Sequence, residues 1–151
     1  MADAERYFQA YREAIDAIGK MAAGKGPIEA PGISVKLSAL HPRYEFAQSS
    51  RALPELADKL EQLTVAAAEA GCALTVDAEE SDRLELSLAV FEQVFKRRTL
   101  AQYSGLGIAV QAYQKRAWHV LQWLEERAHE QHKVIPVRLV KGAYWDTEIK
   151  R

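Results

Sequence analysis

Residues 73–111, ALTVDAEESDRLELSLAVFEQVFKRRTLAQYSGLGIAVQ, carry a strand, a helix and a second strand in succession. Ala73-Leu74-Thr75-Val76-Asp77 is a short run bounded by glycine and acidic residues, the pattern of a strand. Ser81 to Phe95 reads as a helix, with Ser81 a candidate N-cap and Leu84, Leu88 and Phe91 on one stripe. Gly107-Ile108-Ala109-Val110-Gln111 is the next strand. Two strands joined by a helix-length crossover pair in parallel, because the returning chain must travel back along the sheet before it can pair again.

The same unit extends in both directions. Upstream, Ile33-Ser34-Val35-Lys36-Leu37 alternates and is rich in β-branched residues, and residues 53–70 read as the helix that follows it, with Leu56, Leu60 and Leu63 on one face and Gly71 as C-cap. Residues 3–22 form an amphipathic helix before that, with Phe8, Tyr11, Ile15 and Ile18 on its stripe. Downstream, Lys115 to His132 reads as a helix carrying Trp118, Leu121 and Leu124 inward, and Val134 to Val140 as a fourth strand. Asp146 to Arg151 has the pattern of another helix opening. Strand starts near 33, 73, 107 and 134 recur every about 40, 34 and 27 residues, as β/α units do. The fold class is therefore α/β, either an open doubly wound sheet or a partial β/α (TIM-like) barrel of about four parallel strands preceded by a helix. No Gly-x-Gly-x-x-Gly follows a strand, and Gly105 and Gly107 precede one instead, which argues against a dinucleotide-binding first turn.

Composition narrows the function classes. The 151 residues hold 20 Lys plus Arg against 21 Asp plus Glu, which argues against a basic nucleic-acid binder. No apolar run approaches the roughly 20 residues that span a bilayer. The single cysteine, Cys72, has no internal partner for a disulfide, so a reducing, cytoplasmic setting is expected.

Chemistry concentrates at the strand ends. Lys36, Asp77, Gln111 and Arg138 each stand near the C-terminal end of a strand, and in a parallel sheet these ends share one side, the side where barrel active sites form. Burying such groups costs several kcal/mol apiece unless they are paired, so a ring of four points to a ligand more than to a structural ion network. Two cations, one anion and an amide suit a small zwitterion or a heterocycle with polar edges. A metal suits them less well, since His41 is the only nitrogen ligand near Asp77, Glu79 and Glu80. Lys36 alone also fits a Schiff-base lysine. After the fourth strand, Lys141-Gly142-Ala143-Tyr144-Trp145 combines small residues with two aromatics able to stack on a ring.

Four segments resemble the proline dehydrogenase domain, most closely that of bacterial bifunctional proline utilization proteins. They are GISVKLSALHPRY at residues 32–44, VDAEE at 76–80, VQAYQKR at 110–116 and RLVKGAYWD at 138–146. The resemblance covers residues 3–151 and implies an FAD-containing β/α barrel. Such a barrel oxidises L-proline to 1-pyrroline-5-carboxylate by hydride transfer from C5 to the flavin N5 and passes electrons to a quinone. It implies Arg138, Asp77 and Lys36 as catalytic residues, with Lys36 holding the substrate carboxylate and Arg138 near N5. Asp77, Leu139 and Tyr144 would flank the proline pocket with Lys36. Asp77, Gln111, Arg138, Lys141, Gly142, Ala143 and Trp145 would contact FAD, and no metal is implied. Peripheral membrane association of the parent protein follows from the same likeness.

Set against that family, residues 1–151 read as a central part of the barrel domain, incomplete at both ends. The expectation is that this chain alone binds FAD weakly, lacks proline dehydrogenase activity and self-associates through its strand edges. The alternatives are a Schiff-base or aldol-type barrel enzyme using Lys36, and a non-catalytic self-associating fragment. Smaller signals have plainer readings. His129 and His132 sit on a solvated helix face, Lys96-Arg97-Arg98 complements a helix C-terminus, and Cys72 is a small buried side chain. Trp118 and Trp123 read as helix packing and rim, and Arg43-Tyr44 as a loop or lid.

Overall fold

A computed structural model describes residues 2–22, 24–42, 44 and 49–144. Its elements run α1 (Ala2–Ala22), β1 (Ile33–Val35), a short helical turn α2 (Leu37–Leu40), α3 (Ser49–Ala70), β2 (Leu74–Val76), α4 (Leu84–Phe95), β3 (Leu106–Gln111), α5 (Ala117–Gln131) and β4 (Val137–Val140). Arg43, Trp145 and the helix expected at 146–151 lie outside the described residues.

The four strands form one parallel sheet in the order β1-β2-β3-β4. Spatial order equal to chain order decides between the two expected architectures. A doubly wound sheet reverses its direction of growth at a switch point, whereas a barrel adds each strand beside the last. The chain is therefore a four-stranded part of a β/α barrel, preceded by a helix.

Alternation along the strands gives the sheet two unlike faces. Val35, Leu74, Val76, Leu106, Ile108 and Val110 are buried on the outer face, beneath the helices. From α3 come Leu56, Leu60 and Leu63, each fully buried and each contributing about 1.5–3 kcal/mol. Stacked Phe91 and Phe95 of α4, with centroids 5.6 Å apart, and Leu124 of α5 complete the layer. Helix α1 packs on α3 through Phe8 and Ile15. The inner face is small and polar, comprising Ser34, Thr75, Gly107, Ala109, Gln111 and Arg138.

Several elements depart from the sequence reading. Strand β1 ends at Val35, and Leu37 to Leu40 turn into a helix instead of extending the strand, which places both leucines in the core. Ser81 is not an α-helical N-cap. It opens a 3-10 turn, its carbonyl accepts the Leu84 N–H, and α4 begins only at Leu84. The buried stripe of α4 is Leu86, Val90, Phe91 and Val94, with Leu84 and Leu88 half-buried at its flanks. Trp118 does not point inward: it is 66% exposed, while Val120 and Leu124 of α5 are buried. β4 begins at Val137, and Val134 lies outside it, exposed.

Local signals close the helices. Gly71 adopts φ +72°, the Cys72 N–H donates to Ala67 O at 3.0 Å and the Gly71 N–H to Ala68 O at 3.2 Å, a Schellman motif. His132 makes the same closure on α5 with φ 51°, so its position is set by the cap. The basic cluster ties α4 to its neighbours: Lys96 pairs with Glu92 at 2.6 Å, and Arg97 with Asp58 and Glu61 at 2.9 Å each. Among the described residues no helix is long and apolar enough to cross a membrane.

A buried phenol, Tyr44, and a partly buried one, Tyr103, make stability depend on alkaline pH. Burial first, then the carboxylate of Glu79, pushes the Tyr44 hydroxyl above its ordinary value of 10.0. Burial likewise raises Tyr103, whose hydroxyl donates to Cys72 O at 2.6 Å. The folded chain thus holds these protons after the unfolded chain has lost them, so unfolding is favoured as pH rises. Stability is expected to be full below about pH 10 with respect to both groups and to fall above it. Urea midpoints measured from pH 8 to 11 check this, and Tyr103→Phe should flatten the decline.

Candidate active site

The register builds the site. Val35 lies beside Val76, Val76 beside Ile108, and Ile108 beside Val137. The next residue of each strand line, Lys36, Asp77, Ala109 and Arg138, therefore stands one step nearer the C-terminal rim on the inner face. Gln111 follows two residues beyond Ala109 on the same face. A cleft of about 370 Å³ opens here, and Lys36, Asp77, Gln111 and Arg138 all line it.

Arg138 crosses the cleft. Its Nη2 donates to Asp77 Oδ1 and its Nη1 to Ser34 Oγ at 2.7 Å. The arginine side chain is 47% and the aspartate 22% exposed, so the pair is solvated and contributes at most about 1 kcal/mol to stability. Its consequence is geometric, since a planar cation is held at the strand ends beside open space. Lys36 adds a second positive charge, and its backbone N–H donates to the Tyr11 hydroxyl of α1 at 3.1 Å.

A chain of hydrogen bonds joins the segments after all four strands. Ser38 N–H donates to Glu79 Oε1 at 3.0 Å, while Arg83 Nη1 donates to Glu79 Oε2 at 3.2 Å. Gln111 Nε2 donates to the Glu79 carbonyl at 2.8 Å, and the Ala143 N–H donates to Gln111 Oε1 at 2.9 Å. Gln111 is 4% exposed, and its amide is fixed at both ends, leaving one N–H and one lone pair of Oε1. Gln111→Leu keeps the volume but strands a carbonyl and an N–H. It is expected to cost about 2 kcal/mol and to speed amide hydrogen exchange at Ala143, as mass spectrometry can measure.

Lys141, Gly142, Ala143 and Tyr144 form the cleft wall after β4. Gly142 has φ +151°, and a Cβ there would fall 2.4 Å from the Tyr113 ring, so only glycine fits. Burial first, then Glu80, raises the Tyr144 hydroxyl above the ordinary tyrosine value. Leu139 does not join this group. It alternates with Arg138 and Val140, pairs with Val110 on the outer face, and is 59% exposed. Ser34, Ala78, Ala109 and Val140 belong to the site surroundings and were not anticipated. Ser34 was recoverable from alternation, being two residues before Lys36 on the same strand.

Known proteins match the chain over its whole length. The family model for proline dehydrogenase matches residues 1–151. The chain belongs to the proline dehydrogenase family. It is 49% identical over 150 residues to the bifunctional protein PutA of Salmonella typhimurium and equally to that of Escherichia coli, covering 99% of this chain and 11% of each relative. The chain thus spans about a tenth of the length of these curated relatives. Among solved structures, a mutant proline utilization A from Bradyrhizobium japonicum superposes with a TM-score of 0.96 at 51% identity, over 99% of this chain and 15% of that one. Proline utilization A from Bdellovibrio bacteriovorus, inactivated by N-propargylglycine, gives 0.89 at 28% identity, over 99% and 17%. These proline dehydrogenase relatives share the barrel architecture seen here.

Proposed function

We propose that this chain supplies the proline- and flavin-facing part of an FAD-dependent proline dehydrogenase. The observation that carries the reading is the Arg138–Asp77 pair held at the cleft mouth beside Lys36 and Gln111. The donor set fits the polar edge of a flavin ring. Arg138 has planar N–H groups beyond the two it spends on Asp77 and Ser34, and Gln111 keeps a donor and an acceptor. Gly142 and Ala143 allow close backbone approach to a flat group, with Lys141 beside them.

FAD, when bound, supplies the two-electron oxidation that takes hydride from C5 of L-proline, and a quinone is the onward acceptor the family implies. The protein's own part is electrostatic and positional. Arg138 sets fixed positive charge where negative charge develops, and Asp77 orients it. The Lys36 ammonium attracts the proline carboxylate and so aims the opposite side of the ring at the flavin. The Tyr144 ring offers an apolar surface at the cleft wall. Leu139 has no part in this reading, because it lies across the sheet from the cleft.

The test is anaerobic addition of L-proline to the full-length protein reconstituted with FAD. Bleaching of a bound flavin spectrum, reversed by a quinone, is the expected result. A bound flavin indifferent to proline, or borohydride trapping of a carbonyl substrate on Lys36, would overturn the reading.

A further inference from the structure

The Arg138–Ser34 hydrogen bond joins the two outermost described strands. β1 and β4 are separated by β2 and β3, and strands about 4.8 Å apart put the edges of a flat four-stranded sheet roughly 14 Å from each other. An arginine side chain cannot span that distance and still meet a short serine. The bond closes because the sheet curls, and because the intervening inner-face positions on β3 are Gly107 and Ala109, which leave a low floor beneath the side chain. Arg138 therefore has two anchors on two strands, Asp77 of the β2 end and Ser34 of β1. A carboxylate alone does not fix a guanidinium, since the fork can pair end-on or side-on and change its plane. The second anchor removes that freedom.

We propose that Ser34 is a positioning residue for the reaction: its hydroxyl, with Asp77, fixes the plane of the Arg138 guanidinium so that the remaining N–H groups face the cleft. This rests on the function proposed above. Ser34 itself contacts neither proline nor flavin; it acts through Arg138.

The experiment uses Ser34→Ala and Ser34→Thr in the full-length protein, with Ser34→Val as the isosteric partner of threonine should alanine fail to fold. The first readout needs no flavin: the rate at which phenylglyoxal modifies Arg138, followed by peptide mass mapping. Loss of the hydroxyl should raise that rate several-fold, and threonine should restore it. The second readout is steady-state kinetics, where kcat for proline oxidation should fall about tenfold with KM little changed, again rescued by threonine. Adding Ser34→Ala to Arg138→Met should change nothing further. An unchanged modification rate and kcat on loss of the hydroxyl overturns the proposal alone if Arg138→Met is still slow. A serine effect that persists undiminished in the Arg138→Met background also overturns it. Full proline oxidation by Arg138→Met overturns both the proposal and the functional reading beneath it.

Discussion

In the full-length protein, Arg138→Met is expected to slow proline-dependent flavin reduction about a thousandfold while shifting stability by less than about 1 kcal/mol. Methionine keeps length and flexibility and removes the charge. The stability cost is small because the Arg138–Asp77 pair faces the open cleft, with the arginine 47% exposed, so Asp77 and the Ser34 hydroxyl can turn to water when it is lost. The kinetic cost is large because a preorganised cation near a developing negative charge stabilises the transition state more than the ground state. Stopped-flow reduction under anaerobic conditions, beside thermal melts of the same samples, separates the two effects. Unchanged reduction kinetics would remove Arg138 from its role, and a collapsed melt would show that the pair is structural.

The parts legible in the sequence are those governed by one local period. Strands β2 and β3 and helices α1, α3 and α5 appear where their apolar spacing places them, because burial of one face dictates that spacing. The polar residues at Lys36, Asp77, Gln111 and Arg138 were readable for the converse reason: a strand that is apolar on its helix-facing side has its polar positions on the other. What was not legible depends on contacts between distant segments. α4 carries two adjacent apolar stripes, Leu84–Leu88–Phe91 and Leu86–Val90–Val94, and which of them faces the core is set by packing and not by its own spacing. Trp118 is exposed because α5 rests on β3 through Val120 and Leu124, a rotation set by packing. The Ser38–Glu79–Gln111–Ala143 chain joins residues from four strand ends, so no local pattern contains it. Leu139, expected at the proline pocket by resemblance, pairs with Val110 on the other face of the sheet. Its neighbour Arg138 faces the cleft, and adjacent strand residues face opposite ways.

Gly107→Ala is expected to lower stability by about 3 kcal/mol, a fall in melting temperature of roughly 6–12 °C for a chain of this size. Gly107 is an inner-face residue of β3, and its spacing suggested only the start of a strand. A Cβ there would lie 2.5 Å from the Pro136 carbonyl oxygen, a backbone atom with no rotamer to retreat into. That same oxygen accepts the Ile108 N–H at 3.1 Å, so relieving the clash draws β4 away from β3 at the first bond of their ladder. The displacement then reaches the cleft, because Arg138 sits beside Ala109 in the same ladder and must still meet Ser34 and Asp77 across the floor that Gly107 keeps low. Loss of stability should therefore come with faster phenylglyoxal modification of Arg138. Gly26→Ala is the control: a Cβ there meets nothing within 4 Å, so its stability should hold or rise by up to about 1 kcal/mol. Equal urea midpoints for the two variants would show that the β3–β4 spacing yields to a methyl group. The glycine would then not be what holds the curled sheet at the separation Arg138 requires.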